Sequence, residues 1–325
     1  MKKNYRWGIL GAGRIADKFC QALCFVEGSE VYAVASRDIH KAKMYADKYN
    51  ATTFYNNYND LLNDENIDII YIATPHAFHY EQTMLCLKNK KAVLCEKPMS
   101  LSWNQTSEMI AFAKQNNLFL MEGIWTSCMP FIDKILSLIK EDVIGEPQYV
   151  SADFGFSAPL SLDSRSFNKT LGGGSVLDIG IYPIFLTTLI LGEPCTIKTI
   201  SKLTITEVDE YANVILQYPK FQIAHLLSTI SFNTPIEAEI IGTKGRIKID
   251  NPWFKATDFS VYLNDGTTQH FSIPHLCNGF EHEIKEVMHC LDNGLLQSNK
   301  VPHKLSLSVS KTMDEILRQA GVSFE

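Results

Sequence analysis

Tyr5-Arg6-Trp7-Gly8-Ile9-Leu10-Gly11-Ala12-Gly13-Arg14-Ile15-Ala16 is the stretch whose reading decides the fold. Tyr5–Leu10 is short and largely apolar, which suits a buried strand. After the glycines, Ile15, Phe19, Leu23 and Val26 recur at helical spacing, so a helix is expected over Arg14–Val26. Between the two lies G-x-G-x-x-A, in the strand–turn–helix context that a dinucleotide-binding fingerprint requires. Gly11 makes the tight turn, Gly13 lets the backbone approach a pyrophosphate, and Ala16 permits close packing of helix on strand. Arg14 and Ile15 open the helix, whose free N–H groups and positive end suit phosphates. The competing reading is a glycine turn in an unrelated α/β domain.

The next strand, Glu30–Ser36, bears on the choice of nucleotide. An acidic residue at its end would hold a ribose 2′-hydroxyl, whereas an arginine suits a 2′-phosphate. The chain here reads Ala35-Ser36-Arg37-Asp38. Ser36 stands where an aspartate would favour NAD, and Arg37 offers a planar guanidinium to a phosphate, with Lys41 adding charge. NADP is therefore the expected cofactor. NAD remains the alternative, with Asp38 on the ribose and Arg37 solvated.

Outward from this core, helices at Lys41–Tyr49, Phe78–Asn89 and Ser102–Asn117 alternate with strands at Ile67–Ala73, Ala92–Cys95 and Leu118–Met121. Continuous apolar strands between helices predict a parallel sheet covered on both faces. The pattern changes near Gly123. A helix over Phe131–Lys140 is followed by strands at Gln148–Phe156, Thr196–Thr206, Ala212–Tyr218, Gln222–Ser231, Ala238–Ile241, Arg246–Ile249, Phe259–Leu263 and Gln269–Ile273, with turn signals between several of them. Helices are expected at Ser175–Leu191, Phe280–Asn293 and Leu305–Ala320. Two domains follow: a dinucleotide-binding α/β domain over residues 1–122, and an α+β domain with a large, mainly antiparallel open sheet over residues 123–325. A length of 325 residues fits that division.

Thirty basic against 36 acidic residues give a net charge of −6, which argues against a nucleic-acid partner. The N-terminal decapeptide has no long apolar run of the kind a signal peptide needs. The most apolar stretch, near Ile181–Leu191, is interrupted by Pro183 and is shorter than the ~20 residues that span a bilayer. A cytoplasmic protein with no membrane partner is expected. The eight cysteines form no CxxC pair and read as reduced thiols. His282, Glu286 and His289 recur at i, i+4 and i+7, but a solvated helix face explains them, and no metal is expected.

Three further motifs carry a resemblance. Ala92-Val93-Leu94-Cys95-Glu96-Lys97-Pro98 resembles the E-K-P signature of the glucose–fructose oxidoreductase/inositol dehydrogenase/MocA superfamily. Ala73-Thr74-Pro75-His76 with His79 resembles its loop after the fourth strand, and Leu171–Tyr182 (LGGGSVLDIGIY) resembles its second-domain motif. Leu118–Thr126, Gln217-Tyr218-Pro219 and Gly242-Thr243-Lys244-Gly245 are similar to the branch of dimeric dihydrodiol dehydrogenases and NADP-dependent D-xylose dehydrogenases.

The resemblance implies an NAD(P)-dependent oxidoreductase acting on a secondary alcohol or hemiacetal of a sugar or cyclic trans-diol. It places Lys97 beside the reacting hydroxyl. Tyr182 would be the acid/base whose pKa the lysine lowers, and Asp178 would orient Lys97 or hold a substrate hydroxyl. Thr74, Pro75, His76 and His79 would line the cofactor loop, and Glu96 would be a ribose or positioning contact. Trp125, Phe154 and Arg165 are candidates for the substrate pocket. The branch also implies a homodimer through the C-terminal sheet. Two alternatives stand beside this reading: an NAD-dependent inositol- or aminosugar-type dehydrogenase, and a regulator that binds NADP without chemistry.

Overall fold

The computed structural model describes residues 3–159, 161 and 164–324. The chain divides into two compact units: Met1–Ser100 with Asn104–Cys128 and His275–His303, and Leu101–Trp103 with Met129–Pro274 and Lys304–Glu325.

In the first unit β1 (Tyr5–Leu10), α1 (Arg14–Leu23), β2 (Ser29–Ala35), α2 (Ile39–Tyr49), β3 (Thr53–Tyr55), α3 (Tyr58–Asn63), β4 (Ile69–Ile72), α4 (His79–Lys88), β5 (Ala92–Glu96), α5 (Trp103–Gln115) and β6 (Leu120–Gly123) follow one another. The six strands are all parallel, in the order β3-β2-β1-β4-β5-β6. This is the doubly wound arrangement, and its strand order reverses between β1 and β4, where such folds bind ligands. All four residues of β4 are buried, as a strand covered on both faces requires. The sequence reading omits β3 and α3. β3 has only three residues and none is buried, so no apolar run marks it.

The second unit begins with α6 (Pro130–Lys140). Its sheet contains β7 (Pro147–Gly155), β8 (Thr196–Leu203), β9 (Asp209–Gln217), β10 (Ile223–Thr229), β11 (Ala238–Gly242), β12 (Gly245–Ile249), β13 (Asp258–Leu263) and β14 (Thr268–Ser272), with α7 (Ile181–Leu191) between β7 and β8. The order is β14-β13-β12-β11-β7-β10-β9-β8. Only the β7–β10 pair is parallel, so the mainly antiparallel expectation holds. α7 packs on β7 and β10. The alternation along β10 leaves Ile223 and His225 outward while Ala224 and Leu226 are buried.

Two expectations need correction. The helix expected over Ser175–Leu191 is not uniform, because Val176–Gly180 forms a wider π-helical turn before α7. The helical run from Lys169 to Leu191 is also, by length and composition, long and apolar enough to cross a membrane. It is mostly buried within its unit, and packing against the sheet accounts for its apolarity.

The domain boundary differs as well. After β14 the chain forms α8 (Phe280–Asp292), which belongs to the first unit, before ending in α9 (His303–Ala320). Phe280, Ile284 and Val287 are buried, Phe280 meets Phe19 of α1 edge-on at 6.1 Å, and Tyr5 donates to Asp292 at 2.7 Å. Those apolar contacts hold α8 on α1, so the split at residue 122/123 misplaces residues 275–303.

Candidate active site

The turn from β1 to α1 builds a cradle. Gly11 has φ +103°, and a Cβ there would lie 2.9 Å from Thr74 Cγ2 and 3.1 Å from the Ala73 carbonyl oxygen. Glycine is therefore required by the fold itself. Gly13 is different. Its backbone is extended, and an added Cβ would meet nothing nearer than Ala73 O at 3.8 Å. No contact among the described residues demands glycine here; an approaching ligand would. Among the described residues no side chain caps α1, so its first N–H groups and positive end suit an anion. Arg14 is exposed, Ile15 half-buried and Ala16 fully buried, as the motif requires. These features fit a dinucleotide pyrophosphate.

At the end of β2, Ser36 is buried and its Oγ accepts from Asp38 N at 3.2 Å. Asp38 caps α2, accepting from His40 N at 3.0 Å and Lys41 N at 3.3 Å. That carboxylate is occupied as a helix cap, which weakens the reading in which Asp38 binds a ribose. Arg37 is exposed, with its guanidinium 5.7 Å from the Phe78 ring. With Tyr58, Thr74, Pro75, Phe78 and Gln82 it lines a cavity of about 260 Å³. Lys41 is exposed on the first turn of α2.

The loop after β4 is braced by histidine. His79 is fully buried. Its Nδ1 lies 2.7 Å from Pro98 O and its Nε2 2.9 Å from Thr74 O. One ring thereby ties the E-K-P loop to the cofactor loop. Thr74 Oγ1 donates to Gln82 Oε1 at 2.6 Å. His76 is also buried, 5.8 Å from the His79 ring. Glu96 is buried, takes a hydrogen bond from the Tyr71 hydroxyl, and accepts from Lys97 N at 3.3 Å. These contacts favour a positioning role for Glu96. Lys97 follows at the carboxyl end of β5, partly buried, and its bond to Pro98 is cis.

Two further members of this cluster escaped the sequence reading. Burial, and then the charge of Glu96, push the Tyr71 hydroxyl well above its ordinary range. Glu283 on α8 is completely buried, and neither of its carboxylate oxygens has a hydrogen-bond partner among the described residues. Burial, and then the Glu96 charge, push its carboxyl well above the usual carboxylate range. The available signal was a glutamate three residues after Phe280 and four before Val287, on the apolar face of α8. Trp125 is buried in this same unit, stacked on Phe280 at 4.4 Å.

In the second unit the glycine-rich motif shapes the turn that carries Asp178. A Cβ on Gly173 would lie within 2.9 Å of the Arg165, Ser166 and Asn168 carbonyl oxygens, so this close approach needs glycine. Gly174, at φ +108°, passes against Asp209. Asp209, fully buried, accepts from Ser175 Oγ and from Val176 N, both at 2.7 Å. Burial pushes its pKa up to about 6 against these donors. Asp209, absent from the sequence reading, fixes the start of the helical segment bearing Asp178 and Tyr182. Arg165 Nη2 lies 2.8 and 2.9 Å from the two Asp178 oxygens, so the two residues form one ion pair. Tyr182 sits in an aromatic group, 5.6 Å from Phe154 and 5.3 Å from Phe254, with Phe154 and Phe254 stacked at 4.3 Å. Phe254 too was missed, because it lies in a short 3-10 turn (Trp253–Lys255) with no periodicity to mark it.

The first part of the chain, residues 5–124, matches the model described as "Oxidoreductase family, NAD-binding Rossmann fold", and residues 132–248 match the GFO/IDH/MocA C-terminal domain. The chain belongs to the GFO/IDH/MocA oxidoreductase family. It is an NAD(P)-dependent oxidoreductase. Among curated proteins it is 37% identical to trans-1,2-dihydrobenzene-1,2-diol dehydrogenase of Xenopus tropicalis, over 98% of this chain and 99% of that one. To the human protein of that name it is 33% identical over 98% of each. A 3-ketoreductase from Actinomadura kijaniata, solved with NADP and TDP-benzene, shares the fold with a TM-score of 0.87 at 24% identity over 98% of both chains. An aldose-aldose oxidoreductase from Caulobacter crescentus, solved with glycerol, does so with a TM-score of 0.88, also at 24% identity over 98% of both chains.

Proposed function

We propose that this family member oxidises a secondary alcohol or hemiacetal of a cyclic trans-diol or sugar, using NADP. The observation that carries the reading is full-length identity of 33–37% to dehydrogenases of a trans-dihydrodiol. The use of Asp38 as a helix cap, with Arg37 beside an open cavity, supports NADP over NAD. The bound nicotinamide would take up the hydride. The chain's own residues would manage the proton: Tyr182 as acid/base, Lys97 lowering its pKa, and Asp178, paired with Arg165, orienting polar groups. Phe154 and Phe254 place apolar ring surface beside Tyr182, which suits a cyclic substrate. The outward face of the second unit's sheet exposes Ile200, Ile215 and Ile223, which supports a homodimer through that sheet.

The test is reduced-nicotinamide absorbance across trans-diols, aldoses and inositols, with NADP and with NAD. Turnover of a trans-diol or pentose with NADP, lost in Lys97→Met while NADP still binds, is expected. Equal turnover by the variant would overturn the role of Lys97. Inositol oxidation with NAD alone would favour the other enzymatic reading.

A further inference from the structure

A cluster of ligating side chains in the first unit lies where the segment after β14 enters α8. His275 is in that segment, and Glu281 and His282 are in the first turn of the helix. We propose that His275, Glu281 and His282 form a binding site for one divalent metal ion of the zinc class.

Their donor atoms lie within 4.8 Å of one another. His275 Nδ1 and His282 Nε2 are 3.4 Å apart, and His282 Nε2 is 3.7 Å from Glu281 Oε1. Ligands about 2.1 Å from a tetrahedral ion are separated by about 3.4 Å, so the nitrogen pair already has that spacing and the oxygen is a few tenths of an ångström wide of it on the His282 side. The carboxylate is completely buried and fixed in place. Cys277 N donates to Oε1 at 2.9 Å, while Asn278 N and Gly279 N donate to Oε2 at 3.3 and 2.7 Å. Of these three bonds one goes to Oε1, the oxygen that faces His282. The loop is itself pinned, since Asn278 Nδ2 donates to Lys18 O at 2.9 Å.

Two imidazoles and one carboxylate suit zinc, cobalt(II) or nickel better than magnesium or calcium, which favour oxygen alone. A water would complete the shell. Lys285 and Lys300 also bear on His282 and lower the affinity for a cation, so a micromolar rather than a far tighter site is expected. The spacing in sequence pointed to other partners for His282. Instead Glu286 accepts from Ser298 Oγ at 2.5 Å, and His289 is exposed beside Asn293. The loop, not the helix repeat, supplies the second imidazole.

The test uses the untagged full chain after chelator treatment. Cobalt(II) is titrated by its visible absorption, and zinc by equilibrium dialysis. One ion per chain is expected, with a tetrahedral cobalt spectrum and a rise in melting temperature. His275→Gln and His282→Gln should each weaken binding about tenfold or more, because even outer-shell partners are worth that much. His289→Ala should titrate as the unaltered chain. An absence of saturable binding, leaving the imidazoles a simple hydrogen-bonded pair, would overturn the proposal. So would titrations that neither His275→Gln nor His282→Gln changes. Neither readout depends on turnover, so failure here is distinct from failure of the proposed activity.

Discussion

The two fingerprint glycines should answer differently to the same substitution. Gly13→Ala adds a methyl group to extended backbone at φ −111°, where alanine is unstrained, and the nearest atom is Ala73 O at 3.8 Å. Its effect on stability should lie within about 0.5 kcal/mol. The methyl group does, however, occupy the approach that a pyrophosphate needs. NADP affinity should fall about tenfold or more, equivalent to ~1.4 kcal/mol. Gly11→Ala forces φ +103° on an L-residue and drives Cβ to 3.1 Å from a backbone carbonyl oxygen, which cannot swing away as a side-chain tip could. Strain of that kind costs roughly 1–3 kcal/mol. The melting temperature should fall by several degrees even without nucleotide. Thermal melts of the two variants with and without NADP, together with nucleotide titration by fluorescence, separate the effects. A Gly13→Ala protein that binds NADP like the unaltered chain would refute the assignment of the cradle. A Gly11→Ala protein of unchanged stability would refute the steric argument.

Asp209 gives a stability effect with a definite sign. Its folded pKa, near 6, lies above the ordinary carboxylate value of 3.8. Its contribution is therefore fully present below about pH 4 and is lost as pH rises through 6, by up to about 3 kcal/mol. Asp209→Asn, a neutral isostere, should lack this loss. Relative to the unaltered chain it should gain stability between pH 4 and pH 7 in urea unfolding, and parallel curves would refute the effect. For the sheet face, the unaltered chain should sediment as a dimer at micromolar concentration and Ile215→Glu as a monomer; a monomeric unaltered chain would remove the dimer.

Much of the fold was legible because periodicity reports burial. The parallel strands β1, β2, β4 and β5 are largely apolar, and their limits lay within a residue or two of those read from the sequence. The antiparallel strands alternate, and turn residues separate them. What lay outside periodicity was lost: β3 is too short and too exposed to carry a pattern. The π turn at Val176–Gly180 has the composition of an ordinary helix, so its wider winding could not be read. In the site, motif positions such as Gly11, Gly13 and Arg37 were readable because each performs a local task. Phe254, Tyr71, Glu283 and Asp209 were not, since each matters through residues far away in the chain.

By itself the sequence determined the strand–turn–helix cradle, the change from parallel to antiparallel sheet, and the family motifs around Lys97 and Asp178. The first two follow from local spacing and side-chain chemistry, the motifs from their resemblance to the family's. Tertiary structure alone decided that α8 returns to the first unit, that His79 straps two loops together, that Arg165 takes up Asp178, and that Asp209 anchors the segment ahead of Tyr182. Each depends on burying a polar or apolar group against a distant partner. That partner's identity is a matter of three-dimensional packing, which no local pattern encodes.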